Sequence, residues 1–87
     1  MANIKYYRAI ASIDVPDYRE KFYTFFREFD LERAMIKAIR YMADTAYECG
    51  HINEPDADAA ARLGWVFRIE EVSLEEFYEA THNKGME

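Results

Sequence analysis

The 87-residue chain is poor in the residues that punctuate or cross-link a fold: one cysteine, three glycines and two prolines. With Cys49 alone, an intramolecular disulfide is excluded, and the expected setting is a reducing compartment. So few Gly and Pro leave no flexible linker and no low-complexity tract. Histidine is scarce too; His51 and His82 offer little from which to build a metal or nucleophilic centre. No apolar run approaches the length of a membrane span. The opening MANIKYYRAI lacks the apolar core and small-residue cleavage site of a signal peptide. These absences lead to the expectation of one cytoplasmic globular domain over residues 1–87.

What the chain does hold is aromatic and charged. Half of it is apolar and 16% aromatic, enough to build a core without disulfides or metal. The net charge is −6, unevenly spread. Residues 1–43 carry eight Lys/Arg against six Asp/Glu, a net of +2; residues 44–87 carry three against eleven, a net of −8. An acidic total speaks against a free-standing nucleic-acid binder, which needs clustered cations to meet phosphates. Arg8, Arg19, Lys21, Arg27, Arg33, Lys37 and Arg40 could nonetheless converge on one face of the first half.

Periodicity divides the chain into elements. Residues 3–13 read as a strand with Tyr7, Ala9, Ala11 and Ile13 on one face, and Val15-Pro16-Asp17-Tyr18 reads as a turn. Residues 18–29 fit two patterns. Tyr18, Phe22, Phe25, Phe26 and Phe29 trace a helical stripe, whereas FYTFF is β-rich and follows a hairpin-type turn; strand is preferred. Asp30 then caps a helix over about 31–49, with Leu31, Met35, Ala38, Ile39, Met42 and Ala46 on its apolar stripe through Tyr47, and Gly50 beyond its end. A short helix is expected within 51–64, started at Asn53 or Glu54 before Pro55 and stopped at Gly64. Trp65–Val72 alternates as a strand. Ser73 and Glu76 form a capping box for a helix over 74–82, which frays into HNKGME. The expected fold is α+β: a three-stranded antiparallel ββαβ sheet, first strand central, with the long helix on one face and a short C-terminal helix. The alternative is a two-stranded sheet with two packed helices.

No catalytic constellation emerges. Cys49 and His51 lack further metal ligands, and Cys49 reads as a half-buried apolar residue at a helix end. Glu70 and Glu71 point to opposite strand faces; Glu75, Glu76 and Asp30 sit at helix starts, where the backbone favours acids. Scattered glycines make no phosphate loop. The expectation is therefore a non-enzymatic protein without cofactor, metal or small-molecule ligand. The sheet face turned from the long helix, with Tyr6 and Ile10, needs a cover. The C-terminal helix, anchored by Phe77 and Tyr78, would provide one, and a second copy of the chain is the other option. The candidate partner-binding residues are the carboxylates Asp44, Glu48, Glu54, Asp56 and Asp58, with Tyr6, Tyr41 and Tyr47 as aromatic anchors.

The Tyr-rich opening strand, the aromatic stretch running into FDLERAMIKAIRYM and the late strand VFRIEEVS, in a small acidic α+β chain, resemble the plan of anti-CRISPR proteins encoded by phages and mobile elements. The resemblance implies a protein that binds a CRISPR nuclease, or another nucleic-acid-handling protein, and blocks its basic site. It carries over no individual functional residue. Two other expectations stand beside it: a small homodimeric regulatory or assembly module, and direct nucleic-acid binding through Arg8, Lys21, Arg27 and the helix cations.

Overall fold

The computed structural model describes residues 3–82 and arranges them as β1 (Lys5–Val15), β2 (Tyr18–Glu28), α1 (Leu31–Glu48), α2 (Ala57–Leu63), β3 (Trp65–Val72) and α3 (Leu74–His82). The sheet is antiparallel with order β2-β1-β3, so the first strand is central, as expected. The ambiguous aromatic stretch is a strand. Tyr18, Phe22 and Phe26 lie opposite Val15, Ala11 and Tyr7, on the face that meets α1, while Tyr23 and Phe25 share the other face with Arg8 and Ile10. A strand divides the five-aromatic stretch between two packed faces; a helix would have needed one very wide apolar groove. β1 begins and ends two residues later than the expected 3–13.

The core lies between the sheet and α1. From β1 it takes Tyr7, Ala9, Ala11 and Ile13; from β3, Trp65; from α1, Ala34, Ala38, Met42 and Ala46. The expected apolar stripe of α1 is corrected here. Its members Ala38, Met42 and Ala46 are buried as expected, but Leu31, Met35 and Tyr47 are exposed, and Ala34 joins the buried face instead. Alanines let the helix axis settle close to a sheet whose own bulky rings, Tyr7 and Trp65, already fill the space.

Local chemistry fixes the element ends. Asp30 accepts a hydrogen bond from the Arg33 amide at 2.8 Å and starts α1. Cys49 ends it, and Gly50 follows at φ 81°. Asp56, and neither Asn53 nor Glu54, caps α2: Pro55 favours extended backbone before it, and its carboxylate accepts from the Asp58 amide at 3.0 Å. Gly64, at φ 112°, turns the chain into β3, where a Cβ would stand 2.9 Å from Val15 Cγ1. Ser73 accepts from the Glu76 amide at 3.0 Å. The Glu76 carboxylate reaches towards Arg8, 4.0 Å away, so this half of the expected capping box serves a tertiary contact.

α3 folds back across the face of the sheet turned from α1. Phe77 packs on Tyr6 with ring centroids 4.8 Å apart. Tyr78 does not act as a second anchor; it is exposed and stacks on His82 at 3.8 Å. His82 is the last residue of α3 rather than part of a frayed tail, and the fraying expected over 83–87 lies outside the described residues. No helix among them is long and apolar enough to cross a membrane.

Candidate functional site

Seven of the chain's seventeen acids lie on segments that the fold brings around the end of α1. The β1–β2 turn reaches the loop after α1 because Tyr18 meets His51 edge-on, with centroids 4.6 Å apart. His51 in turn accepts a hydrogen bond at Nδ1 from the Trp65 indole N–H, 3.0 Å away. The indole can only donate, so this contact holds His51 as the tautomer protonated at Nε2. Tyr18, Cys49, Ile52 and Ala57 all pack on the cluster of Ile13, Met42, Ala46, Ala60 and Trp65. Around this hub stand seven exposed carboxylates: Asp17 and Glu20 from the hairpin, Asp44 and Glu48 from α1, Glu54 from the loop, and Asp56 and Asp58 from the start of α2.

The expected acidic cluster is thus partly assembled and partly divided. Asp44 and Glu48 follow Lys37 and Tyr41 by seven residues and share their flank of α1, the one facing β2. α2 packs on the other flank, against β3, and carries Asp56 and Asp58 with it. The two groups meet only around the end of α1. Glu54 and Asp56 border a shallow groove of about 450 Å³ with His51, Asn53 and Arg62. Asp17 and Glu20, which complete the acidic end, were not among the expected residues. They belong to the basic half of the sequence, and only the hairpin brings them here.

The expected tyrosine anchors separate. Tyr47 is exposed on the outer side of α1. Tyr6 is half-buried under Phe77. Tyr41 is half-buried and donates its hydroxyl to the Tyr23 carbonyl at 3.0 Å. Burial pushes the Tyr41 hydroxyl above its ordinary pKa, and the nearby Glu48 charge adds to the effect. Tyr18 is pushed up by burial and by the neighbouring Cys49 thiol. Both remain neutral hydrogen-bonding groups around neutral pH.

The face crossed by α3 has the opposite character. The register places Arg8, Arg19, Lys21, Arg27 and Arg68 on it, with Tyr23 exposed among them. Much of this charge is already spent. Arg8 pairs with Glu70, whose hydrogen bond raises the guanidinium pKa further, and sits over the Tyr23 ring at 5.7 Å. Arg19 pairs with Asp14 at 2.9 Å. Among the described residues, no group of three or more His, Cys, Asp and Glu side chains is placed to hold a metal. Cys49 is half-buried at the end of α1. Comparison of the chain with models of known families, with curated proteins and with solved structures returns no match.

Proposed function

We propose that the chain is a non-enzymatic binding protein whose acidic end docks on the basic surface of a nucleic-acid-handling protein and obstructs it. A CRISPR nuclease is the target class that the resemblance to anti-CRISPR proteins suggests. The observation that carries this reading is the convergence of seven exposed carboxylates from hairpin, helix and loop on one end of a chain only 10.3 kDa in mass. Carboxylates gathered at one end of so small a chain give it a negative field, which speeds and orients encounter with a cationic channel. Exposed Tyr47, beside Glu48, supplies an aromatic contact of the kind enriched at interfaces.

The test is charge reversal at positions whose side chains hold no cap. The triple variant Asp44→Lys, Glu48→Lys, Glu54→Lys, assayed for competition with DNA on a purified CRISPR nuclease, is expected to lose at least about tenfold in affinity. The parent complex is expected to weaken steeply with salt. A nuclease-bound parent whose affinity neither the variant nor salt changes contradicts the proposal.

Direct nucleic-acid binding is the second reading, favoured by Arg8, Lys21 and Arg27 lying with Tyr23 on one sheet face. A salt-dependent gel shift with single-stranded nucleic acid, abolished by Lys21→Ala with Arg27→Ala, would support it in place of the first.

A further inference from the structure

The sheet has two edges, and hydrogen bonding identifies which main-chain groups lie on each. The two-residue turn Pro16-Asp17 is closed by the pair Val15 and Tyr18, so odd-numbered residues of β1 bond even-numbered residues of β2. The odd-numbered residues of β2 therefore face outward, and α1 attends to two of them. Tyr41 donates to the Tyr23 carbonyl at 3.0 Å and Lys37 Nζ to the Arg27 carbonyl at 3.4 Å. On the other side, even-numbered residues of β1 bond even-numbered residues of β3, which turns the main chain of Trp65, Phe67, Ile69 and Glu71 outward. Among the described residues no side chain hydrogen-bonds that edge. It runs for eight residues without proline or bulge, and its charged side chains are Arg68, Glu70 and Glu71.

We propose that β3 pairs with β3 of a second copy of this chain, antiparallel and centred on Ile69, making one six-stranded sheet. The proposal is independent of the acidic-end reading. Three observations select the occupant and the register. Outward odd residues must oppose outward odd residues, which confines the two-fold axis to a residue position. Centred on Ile69, the pairing sets Arg68 opposite the partner's Glu70, twice by symmetry, and Val66 opposite the partner's Val72. Moving the axis one residue sets Arg68 against itself or Glu70 against itself, and directly opposed like charges destabilise a strand pair. The strand is self-complementary at one register and self-repelling at its neighbours.

The helix face agrees. Met35 and Ile39 lie on the flank of α1 away from Lys37 and Tyr41, and so beside β3. α2 covers this flank only towards the end of α1, where Ala43 and Ala46 are buried; nearer the start, Leu31 and Met35 stay 55% and 40% exposed. Phe67 and Ile69 are half-buried on the same side of the sheet. An axis perpendicular to the sheet puts both copies of α1 on one face. α1 packs on β1 and β3, so this pairing brings the two copies of α1 side by side on that face. The two apolar flanks then cover each other.

The test uses asymmetric charge exchange, read by sedimentation velocity over micromolar concentrations. The parent chain is expected to sediment at twice 10.3 kDa. Arg68→Glu alone and Glu70→Arg alone are each expected to dimerise at least about tenfold more weakly, and the two chains, mixed, are expected to pair with each other. Circular dichroism establishes that each is folded. Because Glu70 also holds Arg8, Met35→Asp on the exposed flank serves as a second variant that leaves the protomer intact, with the same loss of dimer expected. A parent that stays monomeric at 100 µM (roughly a 5 kcal/mol ceiling on association), or a dimer unmoved by Arg68→Glu and Met35→Asp, overturns the proposal.

Discussion

Along β2, long polar side chains of α1 reach past the strand and occupy two outward carbonyls; along β3, the same helix offers methionine and isoleucine and no hydrogen bond. The difference follows from how one helix is divided. Alanines hold α1 close to the sheet, Lys37 and Tyr41 extend to one side, and Leu31, Met35 and Ile39 extend to the other. The Lys37 ammonium is further held by the Glu28 carboxylate at 2.9 Å, which keeps the carboxyl below its ordinary pKa. One flank occupies two carbonyls of its edge from within the chain. The other leaves unpaired main chain and uncovered apolar surface together, which is what an interface between subunits requires.

The strongest way to break this contrast is to remove the root of the open edge. Trp65 is 1% exposed, opens β3, and stacks near Phe22 with centroids 6.2 Å apart. Trp65→Ala is expected to cost about 3–5 kcal/mol in a urea melt and to abolish association along with it, because β3 loses its anchor. A smaller change sharpens the comparison from the other side. Tyr41→Phe removes only the hydroxyl that occupies the Tyr23 carbonyl. It is expected to cost about 1 kcal/mol, and to leave the dimer equilibrium measured by sedimentation where it was. An equal loss of association in this variant would show that the two edges do not act separately.

Much of the fold is legible in the residues themselves. FYTFF and WVFRIEEV are β-rich, Asp30 and Ser73 cap helices at their expected places, and Gly64 stops α2 because only a glycine sits readily at its left-handed φ. The faces of α1 were less legible. Periodicity places Leu31, Met35 and Ile39 on one stripe with Ala38, Met42 and Ala46; packing keeps the last three, adds Ala34 and leaves Leu31 and Met35 exposed, since the sheet bearing Tyr7 and Trp65 is met mostly by small side chains. The candidate site was legible only in part for a similar reason. Asp44, Glu48, Glu54, Asp56 and Asp58 are near one another in sequence, but α1 turns the first two to its β2 flank, whereas Asp56 and Asp58 start α2, which packs on the other flank. Asp17 and Glu20 join them through Tyr18 and His51, a contact between segments more than thirty residues apart that no local pattern signals.

Hydrogen exchange at the two edges, followed as protein concentration rises through the micromolar range, tests the central contrast most directly. In the paired register the outward amides of Phe67, Ile69 and Glu71 become hydrogen-bonded, so their exchange is expected to slow with concentration. The outward amides of Tyr23 and Arg27 on β2 are expected to exchange at a constant rate. Slowing at β2 with none at β3, or constant rates at both edges in a protein that dimerises, would contradict the account.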